Sequence, residues 1–283
     1  MTGYARTVLT VAAAAALAVA LLAQPPQGPP GGAKGGQKGG GIKGKGAPGG
    51  GNARAQAPID LTGNWVSLVT EDWVYRMAVP PKNAKGQADV ASIPLSQAAR
   101  TAANAWDPAK DEASGDVCKP YGAAGLMRMP THLQIDWADD DTLRIQTTAG
   151  TQTRLMRFTG DPTGAPSLQG FSKASWEGIG GGGRGRGAPG GAPGAAAIRP
   201  GSMKVVTTNM SGGYLRRNGV PYSANAVLTE YYDVLHEPDG QLYLVILTIV
   251  DDPANLSQTF RTSSHFKKEA DASKFKPTPC TVR

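Results

Sequence analysis

Two glycine-rich tracts decide how much of this 283-residue chain can build a core. Residues 24 to 58 and 178 to 200 hold 23 of the 38 glycines, mixed with proline, lysine, arginine and glutamine. Such segments bury too little apolar surface to offset the entropy of ordering. The first is therefore expected as a disordered linker and the second as a disordered insertion within one folded domain, residues 59 to 283. With residues 1 to 58 and 178 to 200 set aside, 202 residues remain, enough for a single core. The charge moves with the tracts. The whole chain is formally +7, yet those 202 residues carry 20 basic against 22 acidic side chains. The basicity belongs to the tails, so no folded nucleic-acid surface is implied, and any contact of the basic linker with an anionic envelope surface would be weak.

Thr7 to Ala23 is an unbroken apolar or small stretch of 17 residues behind Arg6, the pattern of a signal peptide spanning residues 1 to 23. A spanning helix needs about 20 apolar residues, which favours a cleaved leader over an anchor. The expected location is thus periplasmic or secreted, at the bacterial cell envelope. Export also allows the chain's two cysteines, Cys118 and Cys280, to form a disulfide.

The folded remainder reads mainly as strands. Leu61 to Val69 and Trp73 to Val79 are short β-type runs. Leu133, Ile135 and Trp137 alternate, the Asp139-Asp140-Asp141 turn follows, Leu143 and Ile145 alternate again, and Arg154, Met156 and Phe158 share one face of the next run, giving a meander. Gly170 to Glu177, Met203 to Met210, Ala224 to Leu235, Gln241 to Val250 and Thr259 to Lys267 are further strands, with Pro238-Asp239-Gly240 as a hairpin turn. Leu242 to Val250 is apolar on both faces, which predicts a lined cavity on one side and a covering element on the other. One amphipathic helix is predicted over 95 to 106, and Asp107-Pro108 suits the start of a second, short one. Roughly eight to ten antiparallel strands with short turns predict a β-barrel, with a β-sandwich as the rival.

Leu61-Thr62-Gly63-Asn64-Trp65 opens the first strand with Gly-x-Trp, which resembles the opening motif of lipocalins and related calycin barrels. The resemblance implies that Gly63 relieves crowding where the chain enters the barrel. It implies that Trp65 plugs the floor, covered by a basic side chain of the last strand, for which Arg261 is the candidate. The predicted helix precedes the meander, whereas lipocalins place theirs after the barrel, so the implied fold is calycin-like. Four further stretches, 60 to 77, 105 to 130, 150 to 158 and 213 to 236, are similar to a family of uncharacterised exported bacterial proteins. That similarity implies export and fold and names no activity.

Little in the sequence points to a particular chemistry. His132, His236 and His265 are widely separated and lack the spacing of zinc ligands, so no metal and no cofactor are expected. No Gly-x-Ser-x-Gly elbow occurs. Glu230 shares strand parity with Leu228 and Tyr232, and could serve as an acid or base if that face is interior. His265, on the face of Arg261, is its possible partner in an isomerase, cyclase or hydrolase. Arg76 and Arg157 can clamp a carboxylate or phosphate if they point inward. Otherwise the arginines form internal salt bridges to Asp72, Asp136 or Glu230. Trp73, Trp176, Tyr214 and Tyr232 are candidate ligand walls. The Arg216-Arg217-Asn218-Gly219 turn and Tyr121-Gly122-Ala123-Ala124-Gly125 are candidate rims. The expectation is a barrel that binds a small, partly apolar molecule in its cavity, with a cavity-based enzyme and an envelope interaction protein as alternatives. The oligomeric state stays open.

Overall fold

The computed structural model describes residues 51–70, 72–90, 92–178 and 201–282. The expected leader, most of the expected linker and nearly all of the insertion lie outside these residues. Residues 51–58, assigned above to the linker, are docked. Ala53 N–H donates to Asp141, Arg54 N–H to the Asp140 carbonyl, and the Trp176 indole to the Ala53 carbonyl.

The described chain is mainly β, with eleven strands: β1 (Gly63–Leu68), β2 (His132–Asp139), β3 (Thr142–Thr147), β4 (Thr153–Arg157), β5 (Phe171–Gly178), β6 (Gly201–Thr208), β7 (Gly213–Arg216), β8 (Val220–Tyr222), β9 (Val227–His236), β10 (Leu242–Asp251) and β11 (Phe260–Glu269). Nine close into a barrel in the order β1, β11, β10, β9, β6, β5, β4, β3, β2, while β7 and β8 form a separate hairpin. Each antiparallel pairing reverses strand direction, and a ring returns to its start only after an even number of reversals. A ring of nine therefore needs a parallel pairing, and it falls between β4 and β5. The connection over 158–170 carries the chain back along the barrel before β5 begins, the length a parallel return requires.

Four helices lie between β1 and β2: α1 (Trp73–Met77), α2 (Gln97–Ala105), α3 (Pro108–Ser114) and α4 (Ala123–Leu126). The Ser96 side chain caps α2 by accepting from Ala99 N–H, and Asp107 caps α3 ahead of Pro108. The run at Trp73, expected to be a strand, is instead the helix α1. Asp72 begins it in the left-handed region at φ 52°, and its carbonyl accepts from the Tyr75 and Arg76 amides. The Cys118–Cys280 disulfide ties the C-terminal tail to the segment before α4, with a sequence separation of 162 residues.

Alternation along the strands fills the barrel. Trp65, Leu133, Ile145, Met156, Met203 and Ile246 are wholly or almost wholly buried in one cluster, and a second cluster packs beneath α2 and the β7–β8 hairpin. β10 does not face a cavity. Leu244, Ile246 and Val250 enter the core, while Tyr243, Val245 and Ile249 are only partly buried on the outside and Leu247 is 39% exposed. Gly63 and Trp65 occupy the start of β1. Gly63 has φ 102°, and a Cβ there would fall 2.7 Å from Lys268 Nζ. Lys268, rather than Arg261, covers the Trp65 ring, at 4.3 Å from its centroid, and donates to the Thr62 carbonyl. Arg261 is exposed because its strand parity points it outward.

Candidate functional site

Within the barrel the inward polar groups satisfy one another. Arg154 on β4 forms a two-pronged ion pair with Glu230 on β9, at 3.0 and 2.6 Å, and both side chains are 0% exposed. Arg154 also reaches Thr207 Oγ1 at 3.1 Å and the Tyr232 hydroxyl at 3.4 Å. Burial works against its charge, but Glu230 more than offsets this and the guanidinium is held above its usual range. The Tyr232 hydroxyl is pushed up by burial and then by the Glu230 charge. This layer separates the two apolar clusters and leaves Glu230 engaged as a counter-ion. His265 sits on the opposite face of the wall, out of phase with the buried Ser264 and Phe266. The structure therefore does not assemble Glu230 and His265 into an acid–base pair.

The expected ligand wall is dispersed. Arg157 points outward and stacks on the Phe171 ring at 5.4 Å, whereas Arg76 donates to the Arg128 and Leu68 carbonyls. Trp176 packs with Trp137 and Phe158 at the barrel end closed by Ala53. Trp73 is 63% exposed on α1, and Tyr232 lies in the filled lumen. Tyr214 donates to Asp111 at 2.9 Å and is pushed up by burial and by that carboxylate. Arg128 pairs with Asp72, Arg144 with Asp136 and Arg154 with Glu230, the three acids anticipated as arginine partners. Among the described residues, no three His, Cys, Asp or Glu side chains gather closely enough to share a metal ion.

Five cavities among the described residues lie outside the lumen, and none of them is lined by Trp65, Arg154, Met156, Glu230 or Tyr232. The largest of them, about 780 Å³, is a groove between the segment leaving α1 and the junction of α2 with α3. Its construction is legible residue by residue. α1 ends at Ala78 in extended backbone, and Pro80-Pro81 keep the chain extended without offering ladder donors. Lys82 fastens this strip to the end of α2 by donating to the Asn104 and Trp106 carbonyls at 2.6 and 2.7 Å. Opposite stands Trp106, its ring fixed by the indole N–H bond to Asp111 at 2.7 Å and by an edge contact with Tyr214. Met77, 57% exposed, projects at the rim.

Met77 and Arg217 also line an adjoining cleft of about 320 Å³, walled by Arg76, Tyr121, Thr278 and Thr281. The two rims expected from sequence, the Arg216-Arg217 turn and the Tyr121 segment, thus meet in one cleft. The turn is possible because Gly219 has φ 77° and packs directly on Trp106, where a Cβ would overlap the ring. In the other rim the glycines matter for space: a Cβ on Gly125 would lie 2.6 Å from the Tyr214 carbonyl oxygen. The C-terminal strap that supplies Thr278 and Thr281 is held in place by the disulfide. Behind the cleft Arg76 donates to the Arg128 and Leu68 carbonyls, Arg128 pairs with Asp72 at 2.8 Å, and Arg216 stacks on the Tyr75 ring at 4.2 Å. Sequence reasoning missed Met77, Trp106 and Arg128 as members of this site, since only the fold brings their segments together. Comparison with family models, curated proteins and solved structures found no match.

Proposed function

We propose that this is an exported, calycin-like barrel protein that binds a small, partly apolar molecule, and that the molecule lies in the outer groove rather than the lumen. The observation that carries the reading is the groove itself. Its volume of about 780 Å³ falls within the range of small-molecule sites, and its walls combine Met77, Pro80 and Trp106 with a few polar groups at the edges. An exposed methionine beside a fixed indole is suited to an apolar guest of adaptable shape. The filled lumen, held by Arg154 and Glu230, leaves the groove as the better receptacle. The leader-like Thr7 to Ala23 and the Cys118–Cys280 bond support an oxidising, exported setting. Lys268 over Trp65 supports the calycin-like reading of the barrel.

The test is titration with N-phenyl-1-naphthylamine, a neutral apolar probe whose emission rises on burial. Saturable binding to the full-length protein, weakened in Ala105→Glu, is the expected result. Ala105 is exposed at the groove wall, so the substitution adds charge there without entering the core. No saturable binding, or equal binding by Ala105→Glu, would overturn the reading.

A further inference from the structure

Beside the groove, among the described residues, two arginines carry buried donors that no acceptor answers. Arg128, Arg216 and Arg217, together with Arg76, line a recess of about 10 Å³, room for one water-sized atom, which shares Arg76, Met129 and Arg217 with the 320 Å³ cleft. Asp72 is paired with Arg128 at 2.8 Å. Asp72 lies 3.8 Å from Arg216, too far for a hydrogen bond. Arg216 is almost wholly buried and gives its Nη1 proton to the Val90 carbonyl, yet its Nε and Nη2 atoms have no hydrogen-bond acceptor, nor has the buried Nε of Arg217. Buried charged donors without acceptors are costly, and a guanidinium presents its donors in a plane matched to two oxygens of one acid group. Burial, and then the charge of Arg128, hold the Arg216 guanidinium below its usual range.

We infer that the recess and its cleft take an oxyanion, a carboxylate or a phosphate, so that the bound molecule is an amphiphilic acid with its head at Arg216 and Arg217 and its apolar part in the groove past Met77. The head rests on the arginine recess alone; the tail rests on the groove reading proposed above. One anionic oxygen fits the recess, and the rest of the head occupies the cleft. A neutral molecule of the same length would leave these Arg216 and Arg217 donors unanswered.

The experiment displaces N-phenyl-1-naphthylamine from the full-length protein with decanoate, decyl phosphate and decanol, below micelle-forming concentrations and at fixed ionic strength. Both acids are expected to compete at concentrations at least about tenfold lower than decanol, the scale of one or two charge-assisted hydrogen bonds. The ratio of acid to alcohol, measured within each variant, should collapse in Arg217→Gln and in Arg216→Gln. It should be partly restored in Arg216→Lys, which keeps the charge and loses the fork. Decanol competing as well as the acids overturns the oxyanion inference and leaves the groove reading standing. Should the neutral probe fail to bind, the groove reading fails, and inorganic phosphate alone then tests the recess by thermal shift. A rise in melting temperature that Arg217→Gln abolishes supports it, and no rise overturns it. Preference between decanoate and decyl phosphate assigns the head group.

Discussion

Glu230→Gln is the most informative single substitution, because the account makes Glu230 a counter-ion and not a reacting group. The amide keeps the size of the carboxylate but removes its charge, leaving the Arg154 guanidinium at 0% exposure with neutral acceptors alone, the amide oxygen and the hydroxyl oxygens of Thr207, Ser172 and Tyr232. Removing one partner of a buried ion pair typically costs about 3–5 kcal/mol. In a domain of this size 1 kcal/mol moves the melting temperature by about 2–4 °C, so the expected fall is roughly 6–20 °C. Calorimetry or circular dichroism melts measure it directly. The double variant Arg154→Met/Glu230→Leu should recover most of the loss, since replacing both charges by apolar groups is often neutral or better. The raised Arg154 pKa adds stability that is fully present below the ordinary guanidinium value and is lost only as pH rises through the still higher folded value, so Arg154 contributes no slope at ordinary pH. A Glu230→Gln protein melting within about 2 °C of the parent would refute the buried-pair reasoning. An unchanged melting point with a lost catalytic activity would instead restore Glu230 as an acid or base.

Gly219→Ala places a side chain at φ 77° against the Trp106 ring, and should cost at least about 1–2 kcal/mol in urea unfolding and weaken probe binding, because Trp106 walls the groove. Replacing both Cys118 and Cys280 by serine opens a loop with a separation of 162 residues; by the chain-entropy argument stability should fall by as much as about 5 kcal/mol. The same variant should bind decanoate less well, because the strap carrying Thr278 and Thr281 loses its anchor. Asp233, raised above the usual carboxylate range by burial, is penalised as a carboxylate in the folded state, so its penalty is present at neutral pH, shrinks once pH falls through the folded value and is gone below the unfolded one. Asp233→Asn is therefore expected to melt higher than the parent at neutral pH, with the difference vanishing on acidification.

Much of the barrel was readable from alternation alone. β2, β3 and β4 follow the expected meander, the turn at Pro238-Asp239-Gly240 joins β9 to β10, and Asp107-Pro108 starts α3. Where the reading failed, a longer-range contact decided. Trp73 to Met77 is strand-like in composition, but Arg76 is drawn to the carbonyls of Arg128 and Leu68, and the segment coils to deliver it. The orientation of Glu230 was undecidable locally, because both faces of β9 carry apolar or aromatic residues; its partner Arg154 lies 76 residues away in sequence. The cover of Trp65 was nearly legible. Phe260, Ser264 and Phe266 set the inward parity of β11, and that parity selects Lys268 over Arg261. The doubly apolar β10 suggested a hollow, yet its inward side chains meet others from across the barrel and fill it. The groove left almost no local trace, since its walls come from non-strand segments that the fold alone juxtaposes.

Methyl spectra of the methionines test the central claim most directly, because these residues sample both locations. Met77 stands at the groove rim and Met129 in the cleft, whereas Met156 and Met203 are fully buried in the lumen. Titration with decanoate should shift the Met77 and Met129 resonances progressively while those of Met156 and Met203 stay in place. Shifts at Met156 and Met203 with Met77 unmoved would place the ligand inside the barrel and contradict the account.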